Sequence, residues 1–187
     1  MITWEEFNEK CGQCKKCRLC EKRTNVVIGK GSKTAEIMFI GEGPGEQEDM
    51  TGVPFVGLAG QLLSKMLLAA GIDESHYYIC NVVKCRPPKN RVPLEDEVAN
   101  CMNYLRYQFL LVRPKIIVCL GSTAAKAVID RDFKITQQRG VWSEKKGISI
   151  LATYHPAALL RDESKKKPAW EDMKSIRKKL DEITNAS

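Results

Sequence analysis

The chain has 187 residues, 43% of them hydrophobic and 28% charged, a length and balance that suit one domain with its own core and exclude wholesale disorder. Lys and Arg number 30 against 23 Asp and Glu, a net charge of +7, which suits a polyanionic partner such as nucleic acid. No apolar run approaches the roughly 18 residues of a membrane span, and MITWEEFNEK carries acids where a signal peptide would begin basic. A cytoplasmic protein is therefore expected, and there eight cysteines point to metal or cluster ligation rather than disulfides.

The first thirty-five residues read as loop-rich and basic, with a short helix from Trp4 to about Lys10 followed by the cysteine run. Ile37-Met38-Phe39-Ile40 is a compact apolar run ending in Gly41, a buried strand. Leu58, Leu62, Met66 and Leu67 repeat at helical spacing up to Gly71, a C-terminal cap. Tyr77 to Val83 is β-branched and aromatic, hence a second strand. Val98, Cys101, Met102, Leu105, Phe109 and Val112 mark one face of a long helix ending before Pro114. Ile116 to Leu120 is a third strand, Ser122 caps a helix through about Ile129, and Ile148 to Tyr154 is a fourth strand. The last helix sets Trp170, Met173, Ile176, Leu180 and Ile183 on one side. Short apolar strands alternating with helices predict an α/β fold, a parallel sheet with helices on both faces. Ligands of such sheets sit beyond the carboxyl ends of the strands. The unusual segments GEGPGEQED, NVVKCRPPKNR, GSTAA and YHPAALL all fall there.

Cys11, Cys14, Cys17 and Cys20 form three overlapping C-x-x-C pairs. One pair gives two thiolates to a metal whose closed site needs four. Cys85 and Cys101, with fifteen residues between them, are the natural second pair, unless Cys101 merely fills its helix face. Cys80 and Cys119 read as strand packing. Spacing fixes neither which N-terminal cysteines are used nor whether zinc or an iron–sulfur cluster is held.

Gly41-Glu42-Gly43-Pro44-Gly45 follows a strand but lacks the spacing and the lysine of a phosphate loop, and its acids Glu46, Glu48 and Asp49 would repel pyrophosphate. The glycines suit close approach of backbone to a flat, mostly neutral ligand, with Glu42 facing a reacting centre. His155, held extended by Pro156, is placed to donate to a developing anion. Asn81 offers a donor and an acceptor to one edge of a base, and Phe55 a ring to stack on it. His76 reads as solvated. Lys84, Arg86, Lys89 and Arg91 share a proline-containing stretch, Val82 to Pro93, without an acid, which suits contact with a phosphate backbone. Lys165, Lys166 and Lys167 read as a solvated run.

In this order, C-K-K-C-R-L with a later Arg23, GEGPGEQED-x-x-G-x-PFVG, CNVVKCRPPKNRVP and YHPAALLR resemble the family 4 uracil-DNA glycosylases of bacteria and archaea, from Cys14 to about Leu160. The resemblance implies a three-layer αβα sandwich around a four-stranded parallel sheet of order 2-1-3-4. It implies one domain over residues 1–187, with the cysteine-rich segment 11–34 packed on it. It implies a [4Fe–4S] cluster on Cys14, Cys17, Cys85 and Cys101, leaving Cys11 and Cys20 outside the ligand set. It also implies a uracil pocket formed by Gly41, Glu42, Gly43, Phe55, Asn81 and His155, with Glu48 a further acidic position tied to activity. A related branch uses a histidine in an inserted basic loop to link covalently to the sugar, and no such insertion is present. The expectation is a monomeric, monofunctional glycosylase of base excision repair, acting on single- or double-stranded uracil-containing DNA beside the nucleoid. Glu42 and His155 would be its catalytic residues. Two rivals stand beside it: a metal-clamped DNA-binding module without catalysis, and a nucleotide-metabolising enzyme with GEGPG as its phosphate loop.

Overall fold

The computed structural model describes residues 2–185, so the ends of the expected 1–187 unit lie outside the described residues. Thr3 opens the first helix: its hydroxyl accepts from the Glu6 amide at 3.2 Å, and the Glu6 carboxylate accepts from the Thr3 amide at 2.9 Å, a reciprocal cap. The helix, α1 (Trp4–Gly12), buries Phe7 and Cys11. After a 3-10 turn at Arg18–Glu21 come β1 (Lys30–Gly31), β2 (Ile37–Gly41), α2 (Glu46–Thr51), α3 (Leu58–Ala69) and β3 (Tyr77–Asn81). The second half runs α4 (Glu95–Val112), β4 (Ile116–Leu120), α5 (Ser122–Val128), α6 (Ile135–Gln138), β5 (Ser143–Lys145), β6 (Ile148–Thr153), α7 (Pro156–Arg161) and α8 (Lys166–Asn185). Glu95, Asp96 and Glu97 complement the positive end of the α4 dipole.

The sheet has six strands in the order β1-β3-β2-β4-β6-β5 and is mixed rather than the four-stranded parallel sheet expected. β2 pairs parallel with β3 and β4, and β4 with β6, whereas β1 and β5 lie antiparallel on the two edges. Side chains alternate along β2. Ile37 and Phe39 join Leu63 and Leu67 of α3 and Met173, Ile176 and Leu180 of α8. Met38 and Ile40 join Phe7, Tyr104, Leu105 and Ala124 on the opposite face. Leu19, from the cysteine-rich segment, belongs to that second cluster.

β3 stops at Asn81, two residues before the expected end. The Val82 and Val83 amides turn aside to donate to the carbonyls of Gly41 (2.9 Å) and Glu42 (3.2 Å). Gly121, at φ +90, rather than Ser122 caps α5. His76, expected in solvent, contacts the Glu36 carboxylate at 3.0 Å. No helix of the described residues is long and apolar enough to cross a membrane.

Candidate active site

The carboxyl ends of β2, β3, β4 and β6 open onto a cavity of about 740 Å³, lined among others by Glu42, Gly43, Phe55, Asn81, Thr123 and His155. Gly41 does not line it. A Cβ there would stand 2.4 Å from Asn81 Oδ1 and 2.6 Å from Phe55 Cζ, so its role is to let those two side chains close over the end of β2. Asn81 is 2% exposed and its Oδ1 has no hydrogen-bond partner. A buried acceptor in that state is costly unless a ligand supplies a donor.

Phe55 has φ +54, a left-handed backbone that a bulky residue adopts only when its surroundings impose it. Two contacts impose it. The Glu48 carboxylate accepts from the amides of Val56 (2.9 Å), Gly57 (2.8 Å) and Gly45 (3.1 Å). The Phe55 carbonyl rests against Gly60 so closely that a Cβ there would lie 2.0 Å from it. Glu48, expected as a further acidic position tied to activity, lines the cavity and braces the loop around the ring. Phe55 and His155 stand with ring centroids 5.8 Å apart, tilted by 32°.

His155 precedes α7, and its Nδ1 accepts from the Ala157 amide at 3.1 Å. Burial pushes the imidazole down to about 4, with Arg161 acting in the same direction and Glu48 opposing. The ring is therefore neutral at pH 7, and with Nδ1 accepting, its proton sits on Nε2. Glu42 accepts a hydrogen bond from the Thr123 hydroxyl. Thr123 was not among the expected site residues. The GSTAA segment signalled a strand end and a helix start, but nothing in its spacing marked which side chain reaches the carboxylate.

The basic loop differs most from expectation. Lys84 is 1% exposed and its Nζ donates to the Asn81 carbonyl, so it cannot contact a phosphate. Arg86 donates to Asn90 (2.7 Å) and Glu46 (3.3 Å). Arg91 makes a two-pronged pair with Glu97 at 2.7 and 2.8 Å. Lys89 is exposed. The stretch Val82 to Pro93 contains no acid, but the fold brings acids to it from α2 and α4.

Cys11, Cys14, Cys17, Cys20, Cys85 and Cys101 face one small cavity, joined by Lys16, Arg23 and Lys84 and by no carboxylate. Arg23 donates to Cys85 Sγ at 3.2 Å, and the Lys84 amide to Cys101 Sγ at 3.3 Å. An all-thiol donor set is soft and selects zinc or iron–sulfur chemistry. Cationic and N–H donors aimed at sulfur are the partners such anions need. Among the described residues no three His, Cys, Asp or Glu are grouped to hold a single metal ion. Cys80 and Cys119 are fully buried within β3 and β4.

Residues 28–174 match the uracil DNA glycosylase superfamily. A type-4 uracil-DNA glycosylase of Sulfurisphaera tokodaii is 47% identical over 186 residues, spanning 95% of this chain and 84% of that protein. The chain belongs to the type-4 uracil-DNA glycosylases. Two further type-4 members are similar, from Thermotoga maritima at 45% (88% of each chain) and from Archaeoglobus fulgidus at 43% (94% of this chain and 92% of that one). The matched stretch contains all four strand ends that build the cavity, together with Cys85 and Cys101.

Proposed function

We propose that the protein flips uracil out of DNA and hydrolyses its N-glycosidic bond, leaving an abasic site for base excision repair. The observation that carries this reading is the partnerless, buried Oδ1 of Asn81 at the rim of the cavity. Uracil N3–H supplies the missing donor, and the Asn81 amide donates to O4. Cytosine presents the reverse pattern and leaves both groups unpaired, which discriminates by orders of magnitude. The base must leave the stack to enter, at a cost of a few kcal/mol that is smaller in single strands. Phe55 stacks on it there.

Cleavage of C1′–N1 makes the sugar cationic and the base a uracil anion. The Nε2–H of His155, its tautomer fixed by Ala157, donates to O2 of that anion. Glu42, with one oxygen held by Thr123, orients the attacking water with the other and offsets the sugar charge. Among the described residues the one lysine lining the cavity, Lys165, is paired to Asp162 at 3.0 Å. That favours water over an amine as the nucleophile, and so a monofunctional enzyme without strand cleavage. Lys89, exposed on the loop whose Pro87, Asn90 and Arg91 line the cavity, contacts phosphates.

Cys14, Cys17, Cys85 and Cys101 would hold a [4Fe–4S] cluster. Through those four cysteines it would tie the N-terminal segment to the basic loop, a structural rather than a catalytic contribution. The protein acts as a monomer in the cytoplasm, on nucleoid DNA.

A labelled oligonucleotide with one uracil, incubated with protein and then treated with alkali beside a thymine control, tests this reading. Cleavage only after alkali, and only with uracil, is expected. Binding without base release would instead favour a non-catalytic module.

A further inference from the structure

Lys84 takes no part in the chemistry above, yet it is among the largest fully buried side chains of the protein. Its ammonium donates to one acceptor, the Asn81 carbonyl. An ammonium carries three donors and a full charge, and burying that charge without an anion is costly. Among the described residues no carboxylate forms an ion pair with it, and the buried acids are engaged elsewhere. Asp49 accepts from the Thr24 and Asn25 amides, Glu97 pairs with Arg91, and Asp172 pairs with Arg139.

The cavity beside Lys84 is lined by six cysteines. The Lys84 amide donates to Cys101 Sγ at 3.3 Å, and Lys84 lines the cavity of Cys11, Cys14, Cys17, Cys20, Cys85 and Cys101 with two further cations and no acid. Four thiolates around an iron–sulfur core leave a net negative charge that wants such a partner. We infer that Lys84 is the buried counter-cation of the thiolate site and that, through the Asn81 carbonyl, it couples occupancy of that site to the placement of the base-reading residue. The inference rests on the cluster reading above. It makes Lys84 a positioning residue rather than a catalytic one.

The test compares wild type, Lys84→Arg, Lys84→Gln and Lys84→Met, each reconstituted anaerobically with iron and sulfide. Iron and sulfide content, the rate of iron loss to a chelator and the midpoint potential are measured on each. Lys84→Gln and Lys84→Met should lose iron at least about 10-fold faster, and whatever cluster they keep should have a more negative potential. Lys84→Arg should restore both. Wild-type retention and potential in either neutral variant would overturn the inference. Wild type that takes up no iron and sulfide would sink the cluster reading instead. Should the neutral variants fail to fold, amide exchange of loaded and chelated wild type decides. Protection at residues 82–84 should fall at least about 10-fold on chelation, and unchanged protection overturns the coupling.

Discussion

The Ala157 amide donates to Nδ1 of His155 at 3.1 Å, and this one bond selects the ring nitrogen that can donate to a bound base. The first turn of α7 thus does for His155 what a carboxylate does for histidines that must become charged, with the opposite outcome. Here the ring stays neutral and donates from Nε2.

His155→Ala should lower kcat by at least about 10², the scale of a lost donor to a developing oxyanion. Because burial holds His155 down to about 4, its ionisation should leave no inflection near pH 6.5 in kcat. Stability should follow the same group. The unfolded chain takes up this proton below about pH 6.5, and the folded one only near 4, so the contribution is complete above 6.5 and is lost as pH falls toward 4. Urea titrations from pH 4 to 8, wild type against His155→Ala, read this difference. A variant with the same pH slope as wild type would contradict it.

Thr123 holds one oxygen of Glu42. Thr123→Val should reduce kcat by about 10-fold with little change in KM, because the carboxylate loses its orientation rather than its charge. Thr123→Ser keeps the hydroxyl and should stay near wild type. Equal losses in both variants would show that the methyl group, not the hydrogen bond, matters.

Glu48 accepts from three backbone amides that frame Phe55. Glu48→Ala leaves those donors without their anion and should cost about 2–4 kcal/mol in urea unfolding. Gly60→Ala drives a methyl into the Phe55 carbonyl and should cost about 1–3 kcal/mol, the usual scale of overpacking. Both should raise KM, since both release the left-handed Phe55 from its place over the base.

Among the basic-loop cations, Lys89 is exposed while Lys84 is buried. Lys89→Ala should lower the slope of log K against log salt by about 0.7–0.9 for DNA binding, one phosphate contact's worth. Arg86→Ala should change it less, because that guanidinium is already held by Asn90 and Glu46. An unchanged slope for Lys89→Ala would remove it from the phosphate surface.

The inner strands and the long helices were legible because their apolar residues repeat with the periods of a buried strand and a helix face. The glycine turn, Asn81 and His155 were legible as odd residues at strand ends, where this fold class puts ligands. The edge strands were not. β1 has two residues and β5 is the exposed Ser143-Glu144-Lys145, so neither carries an apolar alternation. Lys84 was misread as a phosphate contact because it opens an acid-free stretch with three further cations, Arg86, Lys89 and Arg91. Its burial depends on the cysteines of a segment sixty residues away. Arg91 and Arg86 were read as free for the same reason: Glu97 and Glu46 reach them only in three dimensions.

Asn81 and Cys85 are separated by three residues, and every one of them is fastened. The Val82 and Val83 amides bond to the glycine turn, the Lys84 carbonyl accepts from Val27, and the Lys84 amide bonds to Cys101. Such a segment has no slack. A single residue inserted or deleted there would turn either Asn81 away from the cavity or Cys85 away from its sulfur neighbours. Loops elsewhere in the chain can vary in length as the protein diverges, whereas this stretch acts as a ruler whose length cannot drift.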